Sequence, residues 1–204
     1  MPRPQIPNAT ARALFLDRHG LATPRAPLGR GAALTALIER LGFVQVDSVN
    51  TLARAHDLIL FARAGDYRPQ SLRWLNDRAR GTFEGWTHDA SVIPMTAFPH
   101  WRLKFARDAQ RLDKRWPRFH GAEFRDETDR LIRHITETGP CSSREMAAAH
   151  EGKRGGWWDW HPSKTALEYL WRTGRLAVTR REGFAKRYDL LERVVPDDLR
   201  TTQH

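Results

Sequence analysis

The sequence predicts a mainly α fold with small β-hairpins, of the α+β class, arranged as tandem winged helix-turn-helix units. Three observations carry that prediction. Apolar residues recur at helical spacing through most of the chain, whereas period-two alternation is confined to a few short runs. Glycine and proline punctuate these stretches where helices and turns should end. The elements delimited in this way fall twice into an order that closes on a hairpin, once in each half of the chain.

In the first half, Asn8 is placed to cap a helix that runs to about Asp17 and is closed by Gly20. Residues 21–31, with Pro24 and Pro27, read as a loop. Leu34, Leu37, Ile38 and Leu41 then recur at helical spacing, and Gly42 ends that helix. Residues 43–46 are a short apolar run of strand type. A helix is expected from near Ser48, with Leu52, Leu58, Ile59 and Phe61 among its apolar positions. After a turn at 66–69 comes a helix carrying Leu72 and Leu75. Residues 82–94 alternate and have turn residues near the middle, the pattern of a β-hairpin. Residues 1–97 therefore form a first winged unit.

An Arg- and Trp-rich connection covers 98–120 and is expected to be helical in its first half, up to a break at Pro117. The second winged unit covers 121–196. Phe124, Leu131, Ile132 and Ile135 mark its first helix, stopped at Gly139-Pro140. Ser142 or Ser143 can cap a short helix with Met146 and Ala147. After a Gly-Trp-rich loop, Pro162 and Ser163 open a helix with Leu167, Tyr169, Leu170 and Trp171, ended by Gly174. Residues 176–178 and 188–190 are strand candidates joined by RREGFAKR, and 197–204 form a tail.

Composition narrows the function. At 204 residues and 40% hydrophobic content the chain can bury a core in one large or two small domains. Lys plus Arg number 34 against 24 Asp plus Glu, a net charge of +10 spread along the chain. That excess favours a polyanionic partner, since each neutralised phosphate releases condensed counterions. Cys141 is the single cysteine, which excludes an intramolecular disulfide and points to a reducing compartment. No signal peptide is legible, and no segment approaches the roughly 20 apolar residues of a membrane span. A soluble, cytoplasmic and nucleoid-associated protein with no membrane partner is expected.

In a winged helix-turn-helix, the third helix enters the major groove and the wing touches backbone or minor groove. Ser163, Lys164 and Thr165 open that helix here, with hydroxyls, charge and free N–H groups suited to phosphate. Arg180, Arg181, Lys186 and Arg187 form a cationic cluster in the wing. Their alternative is an ordinary solvated face. Trp157, Trp158 and Trp160 could stack on exposed bases or close a small core under their loop. Trp171 is expected in the core.

Several chemistries find no support. Nine histidines and one cysteine show no zinc-ligand spacing, so no metal and no cofactor are expected. No phosphate-binding Gly-rich loop is present. Asp126, Glu127 and Asp129 sit where acids favour a helix dipole and need no catalytic role. What remains is Gln45-Val46-Asp47. Alternation points Gln45 and Asp47 to one side of a short strand, with Val44 and Val46 on the other. An amide can orient a water, and a carboxylate can polarise it or stabilise a developing cation. Asp47 could instead bond the N–H of Val49 or Asn50 as a cap.

The run from 41 to 69, together with FEGWTHDASVIP and the segment 157–194, resembles the bacterial winged-helix DNA glycosylases of the AlkZ/YcaQ type, over about 14–196. The resemblance implies tandem winged helices around a DNA channel and metal-free excision of N7-alkylated purines, with interstrand crosslinks as substrates in one branch. The family's Gln-apolar-Gln or Gln-apolar-Asp signature matches Gln45 and Asp47. By that match, Asp47 stabilises an oxocarbenium-like sugar or activates water, and Gln45 holds the water. Glu84, Trp86 and His88 match a Glu-x-Trp-x-His pattern, as supports of the site or DNA contacts, with maintenance of the fold as the alternative. Arg54 and His56 either reach phosphate or pack. The implied partner is double-stranded DNA, alkylated or crosslinked.

Members of that family continue well beyond the counterpart of 192–196, so a third winged helix is expected to be absent here. Apolar surface left uncovered could then drive a homodimer. The competing reading is a winged-helix DNA-binding protein without catalysis.

Overall fold

The structure, a computed structural model, describes residues 5–28, 31–120, 124–148 and 162–202. Helix α1 (Asn8–Arg18) buries none of its side chains, and the carbonyl of His19 just beyond it accepts a bond from Arg63 Nε at 2.6 Å. Helix α2 (Ala32–Leu41) turns Leu34 and Ile38 into the core. Strand β1 (Val44–Gln45) follows, then α3 (Ala55–Phe61) and α4 (Pro69–Asp77), the latter with proline in its first turn where the missing N–H costs nothing. Strands β2 (Thr82–Trp86) and β3 (Ala90–Pro94) form a hairpin, and β1 adds antiparallel to β3, giving the order β1-β3-β2.

A single 3-10 turn leads into the long helix α5 (Phe98–His120). The second unit repeats the pattern with α6 (Phe124–Thr138), β4 (Cys141–Ser142), α7 (Ser143–Ala148), α8 (Pro162–Arg172), β5 (Leu176–Glu182) and β6 (Ala185–Leu190). Its sheet order, β4-β6-β5, is the same as in the first unit. Helix, strand, helix, helix, strand, strand thus occurs twice, with the first strand always pairing with the last. Short helix α9 (Leu191–Val194) follows β6, and α10 (Asp197–Thr201) forms where a tail was expected. Among the described residues no helix is long and apolar enough to cross a membrane.

Three local expectations need correction. The helix expected from Ser48 begins only at Ala55, because the Asp47 carboxylate accepts the Val49 N–H at 2.8 Å and closes a turn that competes with helix. Leu52 consequently stands 89% exposed, and the buried face of α3 is His56 and Leu60. Helix α5 does not break at Pro117 but continues to His120. Proline removes one backbone bond there, and the turn before it is anchored by buried Leu112 and by Trp116, which packs edge-on against Phe124. Finally, most of RREGFAKR is strand, with Gly183 and Phe184 alone left to turn.

A continuous apolar cluster joins the units, running from Leu34, Ile38 and Val44 to Leu131, Leu167, Leu170 and Trp171. A smaller one, around Phe83, Ile93, Met95, Phe98 and Val195, fixes β2 and β3 against α5 and α9. Polar bonds reinforce the join. Trp171 Nε1 donates to the Glu84 carbonyl at 3.0 Å, and the Arg80 guanidinium donates to the carbonyl and hydroxyl of Thr179, each at 2.9 Å. Ser142 caps α7 in a reciprocal pair with Glu145, which then reaches Arg187 on β6 at 2.8 Å.

Candidate active site and nucleic-acid interface

Val44 and Val46 are buried, and Gln45 and Asp47 alternate with them on the less buried face. Gln45 sits opposite Ser91 in β3, and the Val46 N–H donates to the Ala90 carbonyl at 2.7 Å. Asp47 therefore emerges beside the β2–β3 turn, at one end of the first sheet. Its carboxylate is fixed by the Val49 N–H, and its own N–H donates to His56 Nδ1 at 3.3 Å. An imidazole that accepts at Nδ1 is neutral and keeps its proton on Nε2.

The surroundings of His56 favour that state. Burial lowers its pKa, the neighbouring Asp57 carboxylate opposes this in part, Arg54 and Arg181 lower it further, and Glu84 raises it. His56 Nε2 stands 3.8 Å from Asp57 Oδ2, while Asp57 Oδ1 accepts the Tyr67 hydroxyl at 2.7 Å. The ring also stacks on Phe184, in the turn between β5 and β6, with centroids 6.5 Å apart. Phe184 is itself held between two guanidinium groups, Arg54 at 4.7 Å and Arg181 at 4.5 Å.

Glu84 is 5% exposed and receives Arg181 in a two-pronged bond, both contacts at 2.7 Å. It is a clamp between the units and does not face solvent. Trp86 packs edge-on against Trp171 and carries Arg172 over its ring at 4.4 Å. His88 is exposed on the turn. Val46, Arg54, His56, Glu84, Arg181 and Phe184 line a cleft between the units, and Gln45 and Asp47 are not among its walls. Gln45 and Asp47, both half-buried, lie on the side of the strand opposite Val44 and Val46, with Asp47 joined to the cleft wall through His56.

The expected phosphate-binding trio is split. Lys164 is exposed, whereas Ser163 is fully buried with its hydroxyl on Glu127 Oε1 at 2.6 Å, and Thr165 is 3% exposed. Glu127 also takes Arg130 in two bonds, so this acid does more than complement a helix dipole. The four cations expected in a wing lie on the β5–β6 hairpin, and each is paired with a carboxylate of the chain. Arg180 pairs with Glu182 at 2.8 Å, Arg181 with Glu84, Lys186 with Glu168 at 3.2 Å and Arg187 with Glu145 at 2.8 Å. Lys186 lies 3.6 Å above the Trp171 ring. The sequence signal for Phe184 is an apolar residue at the turn of a charged hairpin.

Trp157, Trp158 and Trp160 lie outside the described residues. Burial pushes the Cys141 thiol up to about 11, in keeping with an inert side chain. Among the described residues no group of three or more His, Cys, Asp or Glu is arranged to hold a metal. Compared with known proteins, residues 38–204 match a family described as DNA glycosylase AlkZ-like. No solved structure matches the chain.

Proposed function

The chain belongs to the AlkZ-like DNA glycosylase family, and from that premise we propose that it hydrolyses the N-glycosidic bond of N7-alkylated purines in duplex DNA, with Asp47 and Gln45 as the catalytic pair. The observation that carries this reading is the setting of Asp47. One carboxylate oxygen and the backbone N–H are both tied down, so the second oxygen has a fixed direction, on a residue that is half-buried rather than in the core.

Alkylation at N7 leaves the purine cationic. As the bond between C1′ and N9 breaks, its electron pair neutralises the base, which departs without needing a strong acid. The positive charge passes to the sugar as an oxocarbenium ion, which the Asp47 carboxylate stabilises. A water oriented by the Gln45 amide adds to C1′ and loses its proton to Asp47 or to solvent. The products are a free alkylpurine and an abasic site, as expected of a monofunctional glycosylase. The position of the pair outside the inter-unit cleft supports acceptance of bulky or crosslinked adducts, since a closed base pocket would exclude them.

The test is release of alkylpurine from duplex DNA containing N7-methylguanine, measured chromatographically with wild type, Asp47→Asn and Gln45→Ala. Release by the wild type and its loss in both variants, with unchanged circular dichroism, is the expected result. Full release by both variants would refute the catalytic assignment. Duplex binding with no release by wild type would establish the non-catalytic alternative.

A further inference from the structure

We propose that the groove between the β2–β3 turn and α5 seats the phosphodiester backbone of duplex DNA, an interface distinct from the wing and from the start of α8. The proposal rests on the reading above only in taking DNA as the partner. Its walls are Trp86 and His88 on the hairpin, Lys104, Arg107 and Arg111 on α5, and Arg172 at the end of α8. Spacings of three and four residues put the three α5 cations on one helix face.

The charge balance of this groove differs from that of the wing. Asp108, 3% exposed, is the acid in its lining, and it receives both Lys104 at 2.9 Å and Arg111 at 3.1 Å. The lining thus sets one carboxylate against four cationic side chains, with Glu168 outside it acting on Arg172 as well, and Arg111 remains 58% exposed. The wing cations each have their own carboxylate and leave no comparable excess. Arg172 adds a cation held in place by the stacking of its guanidinium over Trp86. Planar, orientable guanidinium groups suit phosphate oxygens.

Position adds to charge. The bond from Val46 N–H to the Ala90 carbonyl brings Asp47 beside the turn that carries His88. The groove therefore opens at the same sheet end as Gln45 and Asp47, and a strand seated in it would run past the catalytic pair. Backbone contacts of this kind fix the register of a protein on DNA without reading sequence.

The experiment measures binding of an undamaged duplex by fluorescence anisotropy over a range of salt. Arg107→Ala and Arg111→Ala are each expected to weaken binding several-fold at low salt and to reduce the slope of log affinity against log salt by about 1, with the double variant losing about 2. Arg107→Lys should restore the slope. Arg200→Ala, a cation paired with Asp197 and outside both surfaces, should leave both quantities at wild-type values. Wild-type affinity and slope in the Arg107→Ala/Arg111→Ala double variant would overturn the proposal. Because the duplex carries no lesion, this result is independent of base release: the groove stands if binding falls while wild type releases no base, and falls if release occurs with binding unchanged.

Discussion

His56 Nδ1 accepts the backbone N–H of Asp47 at 3.3 Å, and that bond exists only while the imidazole is neutral. Burial holds the folded-state pKa below the ordinary value near 6.5. The unfolded chain therefore binds a proton before the folded one does, and stability rises with pH between the two values. The contribution is fully present above pH ~6.5 and declines as pH falls from there toward the folded pKa. The groups that set this window are Asp57, Arg54, Arg181 and Glu84, contributed by α3 and its entry, β5 and β2.

His56→Phe removes the acceptor and should lower kcat while leaving KM near wild type, since Asp47 loses its backbone anchor and not its substrate contacts. His56→Gln, which can still accept, should recover much of the loss and flatten the acid limb of thermal stability. The cost of the lost bond is about 1 kcal/mol. Melting temperatures from pH 7.5 down to 5.5 for both variants decide this. Parallel curves for wild type and His56→Gln would show that His56 does not titrate in this window.

The Glu84–Arg181 clamp predicts a non-additive pair. Side-chain exposures of 3% and 16% leave either partner uncompensated when the other is removed. Arg181→Met or Glu84→Leu alone should destabilise by about 3–5 kcal/mol, and the double variant should recover most of that loss. Denaturant midpoints measure it. Additive losses would mean that each residue acts through separate contacts.

The buried hydroxyl of Ser163 predicts a stability effect where the sequence pattern pointed to phosphate. Ser163→Ala removes a bond to Glu127 at 2.6 Å and should cost about 1–3 kcal/mol while leaving duplex affinity unchanged. Paired thermal melts and anisotropy titrations separate the two roles. A fall in affinity at constant stability would return Ser163 to the DNA interface.

How far each feature was legible follows from where its determinants lie. The order of elements could be read because its signals are local, such as Gly42 after α2 and Gly174 after α8. The alternation at 44–47 could be read for the same reason. The state of the wing could not, because its neutralising acids are distant in sequence: Glu84 for Arg181, Glu168 for Lys186 and Glu145 for Arg187. The start of α3 was obscured by Val49 and Leu52, apolar residues that imitate a helix face and stand 63% and 89% exposed. The α5 groove had a readable half, the spacing of Lys104, Arg107 and Arg111. Its other half, Trp86 and Arg172, exists only in three dimensions.

Two helix-ending glycines make the last prediction, since they share a backbone strain and differ in surroundings. Gly174 has φ +74 and closes α8, with the Arg175 N–H returning to the Leu170 carbonyl at 2.9 Å. A Cβ there would stand 2.5 Å from the Phe105 ring, and Phe105 packs at 6.0 Å from buried Phe98. Gly139, with φ +89, has nothing within 4 Å of its added Cβ. Gly139→Ala should therefore show the left-handed backbone term alone, about 1 kcal/mol. Gly174→Ala should show that term plus the displacement of Phe105, about 1–3 kcal/mol more. Phe105→Ala in the Gly174→Ala background relieves the clash, so its cost should be smaller than in wild type. Equal destabilisation by the two glycine substitutions would mean that α5 moves to accommodate the methyl group, and that the join between α5 and α8 is looser than the packing around Phe105 implies.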